Sequence, residues 1–447
     1  YYPQADVWHE HWALDRDGKP PESFTGYAEG MAWKRSLHRR LGTTLIETTW
    51  ADILDGTGFY PLAEQLKANG LTLDWNPDRP IPGEQPVRHE DLARLMRSFM
   101  AHVKSNSLSR EDLEARLTSK RARVQRHRAR VFLDLYWAVA AKWEERLLAD
   151  DSVDFEDMLV QAADHLETGP TDMGYDLVLV DEFQDASRAR ARLARALVAK
   201  PHRYLLAVGD DWQSINRFAG ADLSVMTSFN EWFGDGPTLR LQKTFRSPQS
   251  ICDTAAGFIA KNPRQLSKQV ESTQADYGTA ASLVRVESRD QVAPALAAVL
   301  DDLAGRVFSG EITAGPSGKV SVDILGRYNF DRDAMPARCP RQLDVTFRTV
   351  HSSKGLEADY IVLPNVSSGT YGFPSEVVDD PILTLAMTEA DDYPHAEERR
   401  LFYVALTRAR RHVTLIGVQG LESPFVAELL ADKRLELSPL STVDLSE

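Results

Sequence analysis

The chain has 447 residues, 43% hydrophobic and 26% charged, a balance that suits a soluble globular protein of two or three domains. Two cysteines, Cys252 and Cys339, exclude a disulfide scaffold and an all-cysteine metal site and favour a cytoplasmic protein, and no apolar run approaches the roughly 20 residues of a membrane span. The net charge of −14 gives nucleic-acid binding no support as a total, so such binding would need a local basic channel.

In the first 50 residues, Gly18 to Pro21 reads as a turn, Tyr27 to Arg40 as a helix with a basic face, and Thr43 to Thr49 as a strand. Asp6, Glu10, Lys34 and Glu47 faintly resemble the pattern of PD-(D/E)xK nucleases, whose carboxylates share a metal, although no ExK or DxK follows on a strand. Phe59 to Leu73 reads as a helix and a strand, and Asn76 to Pro86, with its four prolines, as a loop. Helical spacing dominates residues 89–150. The basic run Lys120 to Arg130 suits either a phosphate contact or a solvated helix face. Asp154 is placed to cap the helix that begins in DFEDML.

The centre of the chain carries the chemistry. A short β-branched run, Leu177 to Val180, ends on Asp181, Glu182 and Asp185. After a helix-compatible stretch, a second run from Tyr204 to Val208 ends on Gly209-Asp210-Asp211. Two strands joined by a crossover, with carboxylates at their C-terminal ends, are where a parallel α/β sheet places its ligand. Magnesium takes hard oxygen ligands, usually one or two carboxylates plus nucleotide phosphates, so Asp181 is suited to hold it and Glu182 to activate a water. Asp185 could alternatively cap the next helix.

Farther along, LRLQKTFRS (239–247) reads as a strand and turn, and ICDTAAGFIAKNP as a helix. Residues 281–330 read as strand, helix, strand, and VTFRTVHSSKGLEADYIVLP as two strands around a tight turn at Gly355. Residues 367–396 read as an acidic surface loop with a short helix. EERRLFYVALTRARRHVTLIG reads as a helix, then a strand. One continuous helix would keep Glu397, Arg400 and Arg408 on one broad face, ending soon after Arg408.

DFEDML, DEFQD, GDDWQSINRFAG, LQKTFRS, the VTFRTVHSSKGLEADYIVLP stretch and EERRLFYVALTRAR occur in the order found in UvrD/Rep-like superfamily one helicases. The chain resembles that family over nearly its whole length, and looks most like the bacterial DNA helicase IV group. The resemblance implies tandem RecA-like P-loop NTPase domains with parallel sheets and a mainly helical accessory subdomain. It also implies ATP and Mg²⁺ as cofactors, single-stranded or partly duplex DNA as partner, and 3′→5′ movement. Gln213 takes the position of the family glutamine that senses the γ-phosphate, and Arg246 and Arg408 those of its two γ-phosphate arginines. Glu357 matches the ribose-binding glutamate, with Gly355 beside it, and Tyr403 would pack near the base or hold the arginine. Phe218 matches the aromatic on which a DNA base stacks, Arg327 a weaker family motif, and Thr349, His351 and Lys354 the DNA-contact and coupling residues. Trp212 could stack or pack. Asn216 and Ala219 depart from the usual tyrosine and arginine, which puts the strand contact in doubt. Only 17 residues separate Arg327 from Val345, too few for the large helical domain that UvrD and Rep insert there.

The phosphate-cradling pattern GxxxxGK[ST] occurs nowhere in the chain. The relatives carry it near their N-terminus, so the expectation is a C-terminal part of a longer protein whose first motor domain is incomplete here. The expected organisation is an accessory subdomain at 1–150, the remainder of the first RecA-like domain at 151–237, and the second at 238–447. The expected function is an ATP-dependent DNA helicase of repair or recombination, with these 447 residues alone inactive. A non-catalytic nucleic-acid-binding remnant and a nuclease-helicase using residues 1–50 are the alternatives.

Overall fold

Strands β1 (Val7–Trp12) and β2 (Thr44–Thr49) pair in parallel, with helix α1 (Tyr27–Leu41) as their crossover. Val7 and Ile46 are fully buried between them and pack with Leu66. Thr49 then starts α2 (Trp50–Leu54) through a capping box with Asp52, and α3 (Phe59–Ala68) follows. The strand expected near Leu73 does not form among the described residues: the Leu71 N–H turns back to Leu66 O at 3.0 Å, and Leu71 packs on the Val7–Ile46 core. Helices α4 (His89–Ser105), α5 (Arg110–Leu117) and α6 (Arg126–Ala149) come next. Phe99 lies at the centre of their packing, its ring 5.0 Å from Phe132 and 4.8 Å from Tyr136.

This computed structural model describes residues 1–21, 24, 26–55, 57–74, 89–118, 126–377, 379–388 and 391–442. The proline-rich 76–86 stretch and most of the basic 120–130 run lie outside the described residues. The chain forms two compact units. The first comprises residues 1–100, 108–153 and 381–386, and the second residues 101–107, 154–380 and 387–447.

From residue 154 the second unit continues with α7 (Phe155–Thr168), capped by Asp154, whose side chain accepts from the Asp157 N–H at 2.9 Å. Strands β3 (Leu177–Val180) and β4 (Tyr204–Ala207) pair in parallel around α8 (Arg188–Leu197). The N-cap of α8 is Ser187, not Asp185, so Asp185 is left for other contacts. One face of this two-stranded sheet, carrying Leu177, Leu179, Tyr204 and Leu206, is exposed. Short helices α9 (Ser224–Thr227) and α10 (Phe229–Phe233) close the segment over Phe183.

From here the chain adds β5 (Lys243–Thr244), α11 (Gln249–Ile259), β6 (Glu271–Ser272), β7 (Ala281–Val286) and α12 (Val292–Phe308). The LRLQKTFRS strand is thus cut to two residues that pair with β6. There follow β8 (Val320–Gly326), β9 (Leu343–Thr349), β10 (Ala358–Leu363), α13 (Ala396–Leu406), β11 (Ala409–Val418), α14 (Pro424–Ala431) and β12 (Glu436–Leu437). Among the described residues these strands make one parallel sheet in the order β12-β7-β11-β10-β8-β9. Buried on both faces, β10 is apolar at nearly every position, as a parallel sheet requires. Two core clusters line those faces, one with Ile361, Phe402 and Phe425, the other with Val299, Val322 and Val362.

Two further expectations are corrected. Helix α13 ends at Leu406, before Arg408, because the Thr407 hydroxyl turns back to the Tyr403 and Val404 carbonyls and β11 begins at Ala409. Residues 367–396 are not a surface loop throughout, since Phe373, Leu385 and Met387 are buried. No helix among the described residues is long and apolar enough to cross a membrane.

Candidate functional site

β3 delivers its acids at its C-terminal end. The Glu182 N–H donates to Asp181 Oδ1 at 2.8 Å, and Glu182 sits at φ 50, a left-handed conformation rare for a side chain of its size. Gln184 ties the two strand ends together. Its Nε2 donates to Glu182 Oε2 at 2.5 Å, and its Oε1 accepts from the Asp210 N–H at 2.8 Å. A Cβ at position 209 would stand 2.8 Å from that same Oε1, so only glycine lets the strand ends approach this closely.

After Gly209, Asp210 caps the short turn 211–213 through the Trp212 N–H at 3.0 Å and accepts from Gln213 Nε2 at 2.8 Å. Lys268 is ion-paired with Asp210 and lies 4.0 Å from the centroid of the Trp212 ring. Trp212 packs rather than stacks on anything in solvent. It is buried, its indole donating to Leu266 O at 3.1 Å and its ring edge-on to Tyr403 at 5.4 Å.

Opposite these acids stand residues from the turns around β9, β10 and β11. Arg408 is 1% exposed and donates to Val404 O at 3.1 Å, Leu356 O at 3.3 Å and Gln213 Oε1 at 3.0 Å. Among the described residues no carboxylate lies in ion-pair reach of it. Burial, and secondarily Arg246, pull its pKa down to about 10. Arg246 is held by Glu357 at 2.8 Å. Tyr403 is buried, which pushes its phenol well above the usual range. Gly355 turns the chain at φ 79.

Lys354 points into the acids. Its ammonium donates to Asp185 Oδ2 at 2.6 Å and Gln213 O at 3.1 Å, and lies 3.4 Å from Glu182 Oε2. That engagement leaves it a partner of the β3 acids rather than a side chain offered to a DNA phosphate. Asn216, one of the two departures, donates to the same Asp185 oxygen at 2.8 Å. Beyond it Phe218 is 53% exposed and edge-on to His351 at 5.4 Å. Thr349 binds Ser352, and Arg327 makes a two-pronged ion pair with Glu398 at 2.7 and 3.0 Å. Burial, with Arg327 nearby, lowers the His351 pKa to about 4, so its ring is neutral at pH 7.

A cavity of about 390 Å³ opens beside Asp181 and Glu182, walled by Val178, Val180, Phe183 and Leu193. It does not reach Gln213, Arg246 or Arg408. The hard carboxylate oxygens of Asp181 at the open end of a strand fit a magnesium ion in chemistry. In the first unit, Glu10 is held by Lys34 at 2.7 Å, Glu47 by Arg35 and Trp12 at 2.6 Å each, and Asp6 by the Tyr1 hydroxyl at 2.7 Å. Those three carboxylates do not gather into a metal-binding set.

Residues 37–234 match the UvrD/REP helicase N-terminal domain, and residues 333–420 match the UvrD-like helicase C-terminal domain. The chain belongs to the UvrD/Rep-like helicase superfamily. Its parallel sheets and helical regions accord with the RecA-like architecture of those two domains. DNA helicase IV of Escherichia coli is 38% identical over 289 residues, which is 64% of this chain and 40% of that protein. ATP-dependent DNA helicase UvrD1 of Mycobacterium tuberculosis is 34% identical over 151 residues, covering 31% and 20%. ATP-dependent DNA helicase PcrA of Bacillus subtilis is 30% identical over 152 residues, covering 33% and 20%. This UvrD/Rep-like chain therefore spans less than half the length of the curated relatives it matches. Sequence reasoning missed the clasp of Lys268 on Asp210 and the shared hold of Asn216 and Lys354 on Asp185. The lysine of RQLSKQ carries no local pattern that marks it.

Proposed function

We propose that this chain carries most of the working parts of an ATP-driven DNA helicase that moves 3′→5′ on single-stranded DNA in repair or recombination. The observation that carries this reading is Arg408, a buried guanidinium whose hydrogen bonds among the described residues all end on neutral oxygens, one of them that of Gln213, with the charges of Glu182 and Asp210 near but out of contact. A buried cation without a counter-ion is costly, and an incoming anion would relieve the cost. A guanidinium fork matches the geometry of phosphate, as it does that of carboxylate.

In this reading Asp181 holds Mg²⁺, which when bound would supply positive charge to the phosphate oxygens. Glu182 takes a proton from the attacking water, and the carboxamide of Gln213, fixed by Asp210 and Arg408, orients that water. Arg246 exchanges Glu357 for the γ-phosphate, and together with Arg408 it offsets the charge that develops there. Glu357 and Gly355 face the ribose, with Tyr403 behind Arg408. Phe218 stacks a base, with His351, Thr349, Arg327 and Lys354 linking that contact to the acids. Lys354 and Asn216 both end on Asp185, so a shift of the strand-facing turn is felt directly at β3. The polarity and the pathway come from the family resemblance.

The test is steady-state phosphate release, with and without single-stranded DNA, by a protein in which this chain is joined to a GxxxxGK[ST] loop. DNA-stimulated release that Arg408→Ala lowers by about 10²-fold or more is expected. Release indifferent to both DNA and Arg408 would overturn the reading.

A further inference from the structure

Three aromatic rings gather where the chain leaves β8, and the ATP-facing residues use none of them. Tyr328 and Phe330 are stacked, with centroids 5.0 Å apart and planes 9° from parallel. Tyr371 stands edge-on to both, at 5.6 and 5.8 Å. Phe330 is 49% exposed and Tyr371 59% exposed. Tyr328 is the anchored member. Its hydroxyl lies 2.5 Å from Ser375 Oγ, its N–H donates to Asp331 Oδ2 at 2.9 Å, and the Arg327 guanidinium sits 4.8 Å from its ring centroid. Glu398, which holds Arg327, also accepts from the Ser375 N–H at 2.9 Å. The base of the cluster is thus rigid while its two outer rings face water, an arrangement that leaves flat apolar surface available for contact.

The location adds to this. Gly326, the last residue of β8, is in register with Thr349, the last of β9. The rings therefore lie at the C-terminal edge of adjacent parallel strands, the edge where α/β sheets take ligands. Arg327 follows Gly326 and His351 lies two residues after Thr349, so both leave the same edge of β8 and β9, and His351 stands edge-on to Phe218 at 5.4 Å. Three of the nearby acids are occupied internally, Glu398 by Arg327, Glu397 by Arg217, and Asp331 by Tyr328 and Asn365, while Asp333 in the same turn and Glu376 are exposed. Arg332, exposed two residues beyond Phe330, sits over the Phe347 ring, 5.3 Å from its centroid.

We infer that Phe330 and Tyr371, seated on Tyr328, form a second stacking platform for the bases of a single DNA strand, continuing the path that starts at Phe218. The inference rests on the helicase reading above. Every base has a π-face, so the platform grips without reading sequence. It stands at the end of β8, whereas Phe218 belongs to the segment after β4, so the strand is held by both halves of the motor.

Anisotropy of a labelled oligothymidylate titrated with the full chain at several salt concentrations tests this. Phe330→Ala/Tyr371→Ala should raise Kd about 10-fold or more, with the slope of affinity against salt unchanged, because bases rather than phosphates lose their partner. Phe330→Tyr and Tyr371→Phe should restore binding, and an abasic strand should bind the parent weakly and the double variant no worse. Should the double variant melt early, Tyr371→Ala alone, at the most exposed ring, carries the test. A Kd within about twofold of the parent, where stacking predicts far more, overturns the platform and leaves the helicase reading in place. A parent chain that binds no single strand removes both. Unchanged DNA affinity together with lost self-association in sedimentation would assign the rings to a protein contact instead.

Discussion

Arg246 Nε donates to Glu357 Oε2 at 2.8 Å, joining the residue proposed for the γ-phosphate to the one proposed for the ribose. Both side chains are partly exposed, 31% and 41%, and an ion pair so open to water contributes no more than about 1 kcal/mol. The pair is therefore exchangeable. Glu357→Gln is expected to change unfolding free energy by less than about 1 kcal/mol in denaturant melts. A much larger loss would make the pair structural and Arg246 unavailable to a phosphate.

Glu182→Gln preserves shape and removes the proposed base. In a protein that joins this chain to a phosphate loop, ATP binding should persist while turnover falls about 10²–10⁴-fold. Equilibrium binding of a fluorescent ATP analogue and single-turnover hydrolysis separate the two effects. Turnover within about threefold of the parent would take the base role from Glu182.

For the 447 residues as they stand, no DNA-stimulated ATP hydrolysis is expected. The GxxxxGK[ST] loop contributes backbone N–H groups around the phosphates, a lysine on their oxygens and a hydroxyl for magnesium. Arg246 and Arg408 supply charge from one wall only. Losing even one such donor costs about 10²–10³ in rate. Phosphate release that is robust and disappears in Asp181→Ala would reveal another phosphate-binding element in the chain.

His351 gives a pH signature. Its pKa is lowered to about 4 in the fold against an ordinary 6.5, so the unfolded chain takes up this proton first as pH falls. Stability is then fully present above pH about 6.5 and is lost on acidification towards pH about 4, by on the order of 3 kcal/mol at most. His351→Asn should flatten that part of the stability profile relative to the parent. Parallel profiles across that window would show that His351 titrates normally. A neutral ring also fits a contact with Phe218 better than one with a phosphate.

Much of the architecture was legible because local rules decide it. The run Leu177 to Val180 is a strand at those residues, and Asp154 caps its helix as the sequence of DFEDML implies. Contacts between segments were not legible in the same way. Lys268 reaches Asp210 over 58 residues, and Lys354 reaches Asp185 over 169, distances across which no periodicity or cap carries information. The end of α13 turned on a competition between helix and strand at Thr407 that only the pairing of β11 with β7 and β10 resolves. Leu179 and Leu206 alternate correctly for a strand, yet nothing in the alternation says that their face stays open to solvent.

Trp212 lies next to Gln213, in a pocket made by Tyr403 and the Lys268 ammonium 4.0 Å away. An indole shielded from water, with a fixed positive charge over its ring, is a native optical probe at the place where the Asp210–Gln213–Arg408 chain crosses the molecule. A rearrangement that draws Lys268 off Asp210 changes the electric field on that ring, and with it the colour and intensity of its emission. The protein thus carries its own reporter of coupling, readable in stopped flow without a label once the other eight tryptophans are replaced.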